Sequence, residues 1–218
     1  MALQLIHENE FDALNLETLI FLHLTAGNAR ATKDYNVLST LAVTEREVRS
    51  AISFDNSKNI LPIMGMVAII EQLGTAYKRT DIGEYPNSDQ SPLKKALYYF
   101  YDQNPDSELA KTLYGLRNGI VHNASFFSKG LKPTHPNYIF TYSFTNADVI
   151  KPATVAWDGN FDNISEDYFT EINPEKLLEL TTNCIQETNR LNREGCIEII
   201  LPGGKNELIF RYFKWLPI

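Results

Sequence analysis

The chain has 218 residues, 44% of them hydrophobic and 22% charged, and carries a formal net charge of -7. That size and apolar share can bury a sizeable core in one domain, or one domain with an appendage, but no run reaches the roughly 18–20 uncharged apolar residues that a membrane-crossing helix needs. The acidic balance excludes broad, sequence-blind attraction to polyanions: DNA is not expected as a partner, and RNA only where cations gather around a cleft.

The opening MALQLIHENEFD turns acidic without a basic leader, so a secretory signal is not expected and a cytoplasmic location is. Leu14 to Ala26 has helical spacing at Leu16, Leu19, Ile20 and Leu22. Thr44 with Glu47 resembles a capping box opening a helix toward Phe54. After a polar break, the most apolar helix runs from Leu61 or Pro62 to about Tyr77, with Glu71 as its lone acid. Thr80 to Ser91 reads as an exposed loop, and Pro92 to Gln103 as a helix. Asn104-Pro105-Asp106 has the composition of a helix start, and that helix is expected to reach about Phe126, with Lys129-Gly130 ending it.

Strands follow at Tyr138 to Phe144 and Thr154 to Trp157, then a long helix from Pro174 to Glu194. Cys196 to Leu201 and Glu207 to Trp215, joined across Pro202-Gly203-Gly204, read as a C-terminal β-hairpin. The expected fold is therefore mainly α within an α+β class. A helical core spans 1–130, and a strand–helix–hairpin extension spans 131–218 in the same compact unit. Cys184 and Cys196 lie in no C-x-x-C pair and beside no histidine, so no metal site is expected; their spacing permits a disulfide, but a reduced pair is the expectation for a cytoplasmic chain.

Tyr114 to Asn123 carries the most chemistry. At about 100° per residue, Leu113, Leu116, Ile120 and Ala124 gather on one side of a helix, while Asn118 and His122 share the opposite side as neighbours four apart. Arg117 lies at the edge of the apolar stripe, where a guanidinium must reach solvent or meet a partner, and Glu71 is the candidate. A fixed guanidinium beside an imidazole suits RNA cleavage. Histidine moves protons near neutral pH, and arginine offers a planar donor set matched to phosphate.

This Arg-Asn-x-x-x-His arrangement, late in a helix preceded by amphipathic helices, resembles the R-x4–6-H motif of the HEPN superfamily. The likeness covers roughly residues 14–126. It implies a helical bundle, here with a small β appendage, that commonly forms a homodimer. Many members are metal-independent endoribonucleases of toxin–antitoxin or phage-defence systems. By resemblance, Arg117 binds the scissile phosphate, His122 is the general acid/base, and Asn118 orients the histidine or the RNA. Lys111, Tyr114 and Asn123 are candidate substrate-binding residues, and an antitoxin or regulatory protein is a further expected partner. The tyrosine that one subgroup carries two residues after the histidine is Ala124 here, so control through that tyrosine is not implied.

Two other readings stay open: a catalytically silent HEPN module that binds a nucleotide, RNA or protein, and a helical scaffold in which Arg117 and His122 are structural. Gly115 and Gly119 could admit a close helix–helix approach. His23, on an apolar stripe, reads as a satisfied core histidine. No glycine-rich phosphate loop, nucleophile elbow or metal cluster is written in the sequence, and no cofactor is expected.

Overall fold

The computed structural model describes residues 14–31, 35–130 and 135–217. Helix α1 (Leu16–Thr25) starts where the Asn15 side chain accepts the Thr18 N–H. Strands β1 (Arg30–Ala31) and β2 (Tyr35–Ser39) precede helix α2 (Thr40–Ile52). Ser39, not Thr44, caps α2 by accepting the Ala42 N–H. Thr44 lies inside the helix with its hydroxyl donating to the Thr40 carbonyl, because β2 delivers the chain to the helix a full turn earlier than the capping-box pattern suggested.

Helix α3 (Ile60–Ala76) buries Ile63, Met66, Val67, Ile69, Ile70 and Leu73, while Leu61 and Met64 remain exposed. It runs into β3 (Tyr77–Arg79). Helix α4 (Pro92–Phe100) follows the loop and is capped by Ser91, with proline in its first turn. Helix α5 (Glu108–Asn123) leads into strands β4 (Phe127–Ser128), β5 (Tyr138–Tyr142), β6 (Ile150–Lys151) and β7 (Phe169–Ile172). These form one four-stranded sheet in the order β4-β5-β7-β6. The expected strand at Thr154 to Trp157 does not form. Trp157 instead makes a single bridge with Asn137, and its indole N–H donates to the Asn160 carbonyl at 2.8 Å.

Helix α6 (Pro174–Arg193) packs on α1, α3 and α4. Its burial pattern repeats at Leu177, Leu180, Cys184, Thr188 and Leu191, the three- and four-residue spacing of a core-facing helix. Burial pushes the Cys184 thiol up to about 12, and neither cysteine is bonded to the other.

The C-terminal hairpin is a correction. Ile197–Ile199 (β8) pairs antiparallel with β3, and Gly204–Tyr212 is helix α7. Phe213–Pro217 (β9) pairs antiparallel with β2. The physical reason lies around Glu207: its carboxylate accepts the Gly203 N–H at 2.6 Å and pairs with Arg211 one turn on at 2.7 Å. Leu208 and Ile209 are meanwhile buried on one side. The β-prone residue types overshadowed helical capping and pairing. A single core cluster runs from Leu19 through Leu113, Ile172 and Leu191 to Phe213, so residues on both sides of 130 share it. No helix among the described residues is long and apolar enough to cross a membrane.

Candidate functional site

Helix α5 carries the site, and its ends are fixed locally. The helix starts not at Asn104-Pro105-Asp106 but at Ser107, whose hydroxyl accepts the Ala110 N–H at 3.2 Å. The Asn104 side chain is used in the preceding turn, accepting the Asp106 N–H at 2.8 Å. The helix stops before Lys129-Gly130, at Ala124, whose φ of 48° is left-handed. An alanine there costs roughly 1 kcal/mol relative to glycine, so the turn is held by what surrounds it. That turn places His122 in the last helical turn.

Gly115 and Gly119 admit strands, not another helix. A β-carbon at 115 would sit 2.5 Å from the Tyr138 ring, and one at 119 would sit 2.5 Å from the Phe127 carbonyl oxygen. The β4–β5 layer therefore lies directly against α5.

Arg117 and Glu71 meet. The guanidinium presents its Nε–Nη2 edge to the carboxylate, with Nε at 3.0 and 3.1 Å from the two oxygens and Nη2 at 2.5 Å from Oε1. Both side chains keep 21% of their surface exposed, so the pair is partly desolvated but open at its outer edge. The Nη1 group donates to Asn118 Oδ1 at 3.2 Å and approaches His122 Nε2 at 3.0 Å. A guanidinium can only donate, so Nε2 is the acceptor in that contact. The spacing makes Asn118 and His122 direct neighbours on the helix, and Arg117 Nη1 joins their side chains. His122 itself is exposed. The arrangement is thus a cation clamped from behind by α3, with one nitrogen turned toward an accessible imidazole.

The other candidates divide. Lys111, Tyr114 and Asn118 line a cavity of about 300 Å³ on the same helix. Asn123 ends the helix exposed and does not line it. Sequence reading missed the other walls: Asp89, Asp106, Ser128, Lys129, His135 and Tyr138 also line the cavity. Lys94 does too, sitting 5.1 Å over the Tyr114 ring and donating to Asp89 at 2.8 Å. Burial works to raise the Asp89 carboxyl, but the Lys94 ammonium and the Tyr85 hydroxyl outweigh it and leave the group below the usual carboxylate range. No local motif announces Ser128 or Lys129; only the close approach at Gly115 and Gly119, readable as missing β-carbons, hints that a second layer lies there.

A wider open groove of about 660 Å³ is lined by Arg79, Arg190 and Arg193 among others. Two of those cations are bound to acids, Arg79 to Asp81 and Arg190 to Glu187 and Glu194. Among the described residues, no three His, Cys, Asp or Glu side chains are grouped to hold a metal ion.

No protein-family model matches the chain, and no curated protein or solved structure is significantly similar to it.

Proposed function

We propose that the chain is a metal-independent endoribonuclease of HEPN type, with Arg117, His122 and Asn118 as its centre. The observation that supports this most is the Nη1–Nε2 approach of 3.0 Å between a clamped guanidinium and an exposed imidazole. In the proposed reaction, His122 removes the proton from a ribose 2′-hydroxyl. The 2′-oxygen then bonds to the adjacent phosphorus, the bond from phosphorus to the 5′-oxygen breaks, and that oxygen takes up the proton that His122 carries. Arg117, held on its far edge by Glu71, turns Nη1 from His122 to the phosphoryl oxygens as charge builds there, which leaves the imidazole free for the proton. An imidazole positioned for proton transfer contributes typically about 10²–10⁴-fold.

A homodimer belongs to the same proposal. Leu61, Met64, Ala68 and Glu71 recur at three- and four-residue spacing and so share one face of α3. Leu61 and Met64 on that face, and Val121 beside His122 on α5, are large exposed apolar residues. A second copy covering this face would exclude water from the Arg117 cluster. The physiological role proposed is that of a toxin or phage-defence effector held in check by an antitoxin or regulatory protein.

The silent-module reading has one observation in its favour: Nε2 of His122 is already engaged by Arg117. The scaffold reading expects both side chains shut away from solvent, and His122 is exposed. Expression of the wild type and of His122→Ala in a sensitive host separates these readings. The nuclease reading expects growth arrest and degraded RNA only with the wild type; equal toxicity, or none from either, removes it.

A further inference from the structure

The cavity beside the Arg117 cluster has features that the cluster does not explain. Ser128 is only 6% exposed, and its hydroxyl, on the cavity wall, has no hydrogen-bond partner among the described residues. That hydroxyl borders the cavity and can bond to what fills it. The ammonium of Lys111 has no ion pair among the described residues, and neither has that of Lys129, which instead lies 4.8 Å over the Phe161 ring. Lys94 adds a third ammonium, against the carboxylates of Asp89 and Asp106, and Asp89 is committed to Lys94. Three ammonium groups thus stand against two carboxylates around the cavity, in a chain whose net charge is -7. Tyr114 brings aromatic surface to the wall, while Tyr138, 8% exposed, rests on the bare backbone of Gly115 and stacks on Phe140 at 5.3 Å. The volume of about 300 Å³ is at the small end for ligand sites, enough for one nucleotide and little more.

We propose that this cavity is a subsite for a single nucleotide unit of the RNA. Lys111 takes its phosphate, joined by Lys129 when that side chain leaves the Phe161 ring, Tyr114 borders its base, and Ser128 with the Asn118 amide meets the polar edge. The inference rests on the RNA reading of the Arg117 site and extends it to the β4–β5 layer, which builds one wall. Asn118 connects the two places: its oxygen accepts from Arg117, while its side chain borders the cavity.

The test is direct binding of AMP, adenosine and inorganic phosphate to the full chain, followed by amide chemical shifts. AMP should bind saturably, with adenosine and phosphate each at least tenfold weaker. Its shifts should centre on Lys111, Tyr114, Ser128 and Lys129. The double variant Lys111→Ala/Lys129→Ala should weaken AMP at least tenfold, with Lys111→Ala alone read beside it because Lys129 also packs on Trp157 and Phe161, while His122→Ala binds it like the wild type. AMP should also displace a short RNA from His122→Ala. Binding of AMP no tighter than phosphate, indifference to the double variant, or failure to displace RNA would each overturn the subsite. Cleavage is read separately: a chain that binds AMP here and displaces RNA but cuts none loses the nuclease reading and keeps the subsite, and one that cuts RNA without binding AMP loses only the subsite.

Discussion

Two neighbouring residues of α3 serve two histidines in opposite circumstances. Gln72 reaches inward to His23, its amide nitrogen 2.8 Å from Nε2, while Nδ1 lies 2.6 Å from the Tyr77 hydroxyl. His23 has no exposed surface, and its ring stacks on Tyr212 at 5.1 Å. Both of its nitrogens have neutral partners, so the network is closed. Glu71, one residue earlier, reaches outward and clamps Arg117, which presents Nη1 to an exposed His122. Burial drives the His23 imidazole down to about 3, which removes it from proton transfer at neutral pH. The lesson is that a histidine surrounded by partners is spent on the fold, whereas one held by a single rigid cation at the surface is available for chemistry.

Replacing each histidine breaks this contrast most sharply. His122→Ala should cut RNA cleavage by about 10²–10⁴-fold, or roughly 3–5 kcal/mol of barrier, while unfolding stability moves by less than about 0.5 kcal/mol. His23→Ala should do the reverse. It leaves a void and strips Tyr77 and Gln72 of their partner, so denaturant titration should show a loss of about 2–4 kcal/mol with cleavage per folded molecule retained. A His23→Ala variant as stable as the wild type would mean that the inner network carries no weight.

Glu71→Gln probes the clamp, and both properties should respond. Exposure of the pair limits the stability loss to about 1–2 kcal/mol, below that of a fully buried pair. Cleavage should fall about tenfold as Nη1 loses its fixed position, whereas a purely structural clamp would leave cleavage per folded molecule unchanged.

Acid titration sharpens the inner half of the comparison. Below pH about 6.5 the unfolded chain protonates His23, and the fold refuses that proton until pH about 3. Stability from this group is therefore full above 6.5 and declines by up to about 1.4 kcal/mol per pH unit between those values. His23→Gln should abolish that share of the slope, and an unchanged slope would show that His23 takes up its proton within the fold. The smallest effect is at the turn after His122. Ala124→Gly, relieving a left-handed alanine, should raise stability by about 0.5–1 kcal/mol without altering cleavage.

Much of this was legible in the sequence where one helix face decided the matter. The spacing of Leu113, Leu116 and Ile120 set the face of α5, and Glu71, as the lone acid of an apolar helix, was a natural partner for Arg117. His23 on an apolar stripe was readable as a core residue for the same reason. The C-terminal segment was not, because Phe210, Tyr212, Phe213 and Trp215 are β-prone types while the helix there depends on Glu207 bonding backward to Gly203. The wall of the cavity was hidden for a different reason. Ser128 and Lys129 reach α5 only because β4 folds back upon it, a long-range contact with no local period. Gly115 and Gly119 did signal a close approach, but nothing in their spacing distinguished a strand from a helix.

The central claim is most directly tested by incubating purified wild type, Arg117→Ala and His122→Ala with an end-labelled single-stranded RNA in excess EDTA and analysing the new ends. The account predicts cleavage by the wild type alone, with products ending in a 2′,3′-cyclic phosphate and a free 5′-hydroxyl. Intact RNA with the wild type, or equal cleavage by His122→Ala, would contradict it.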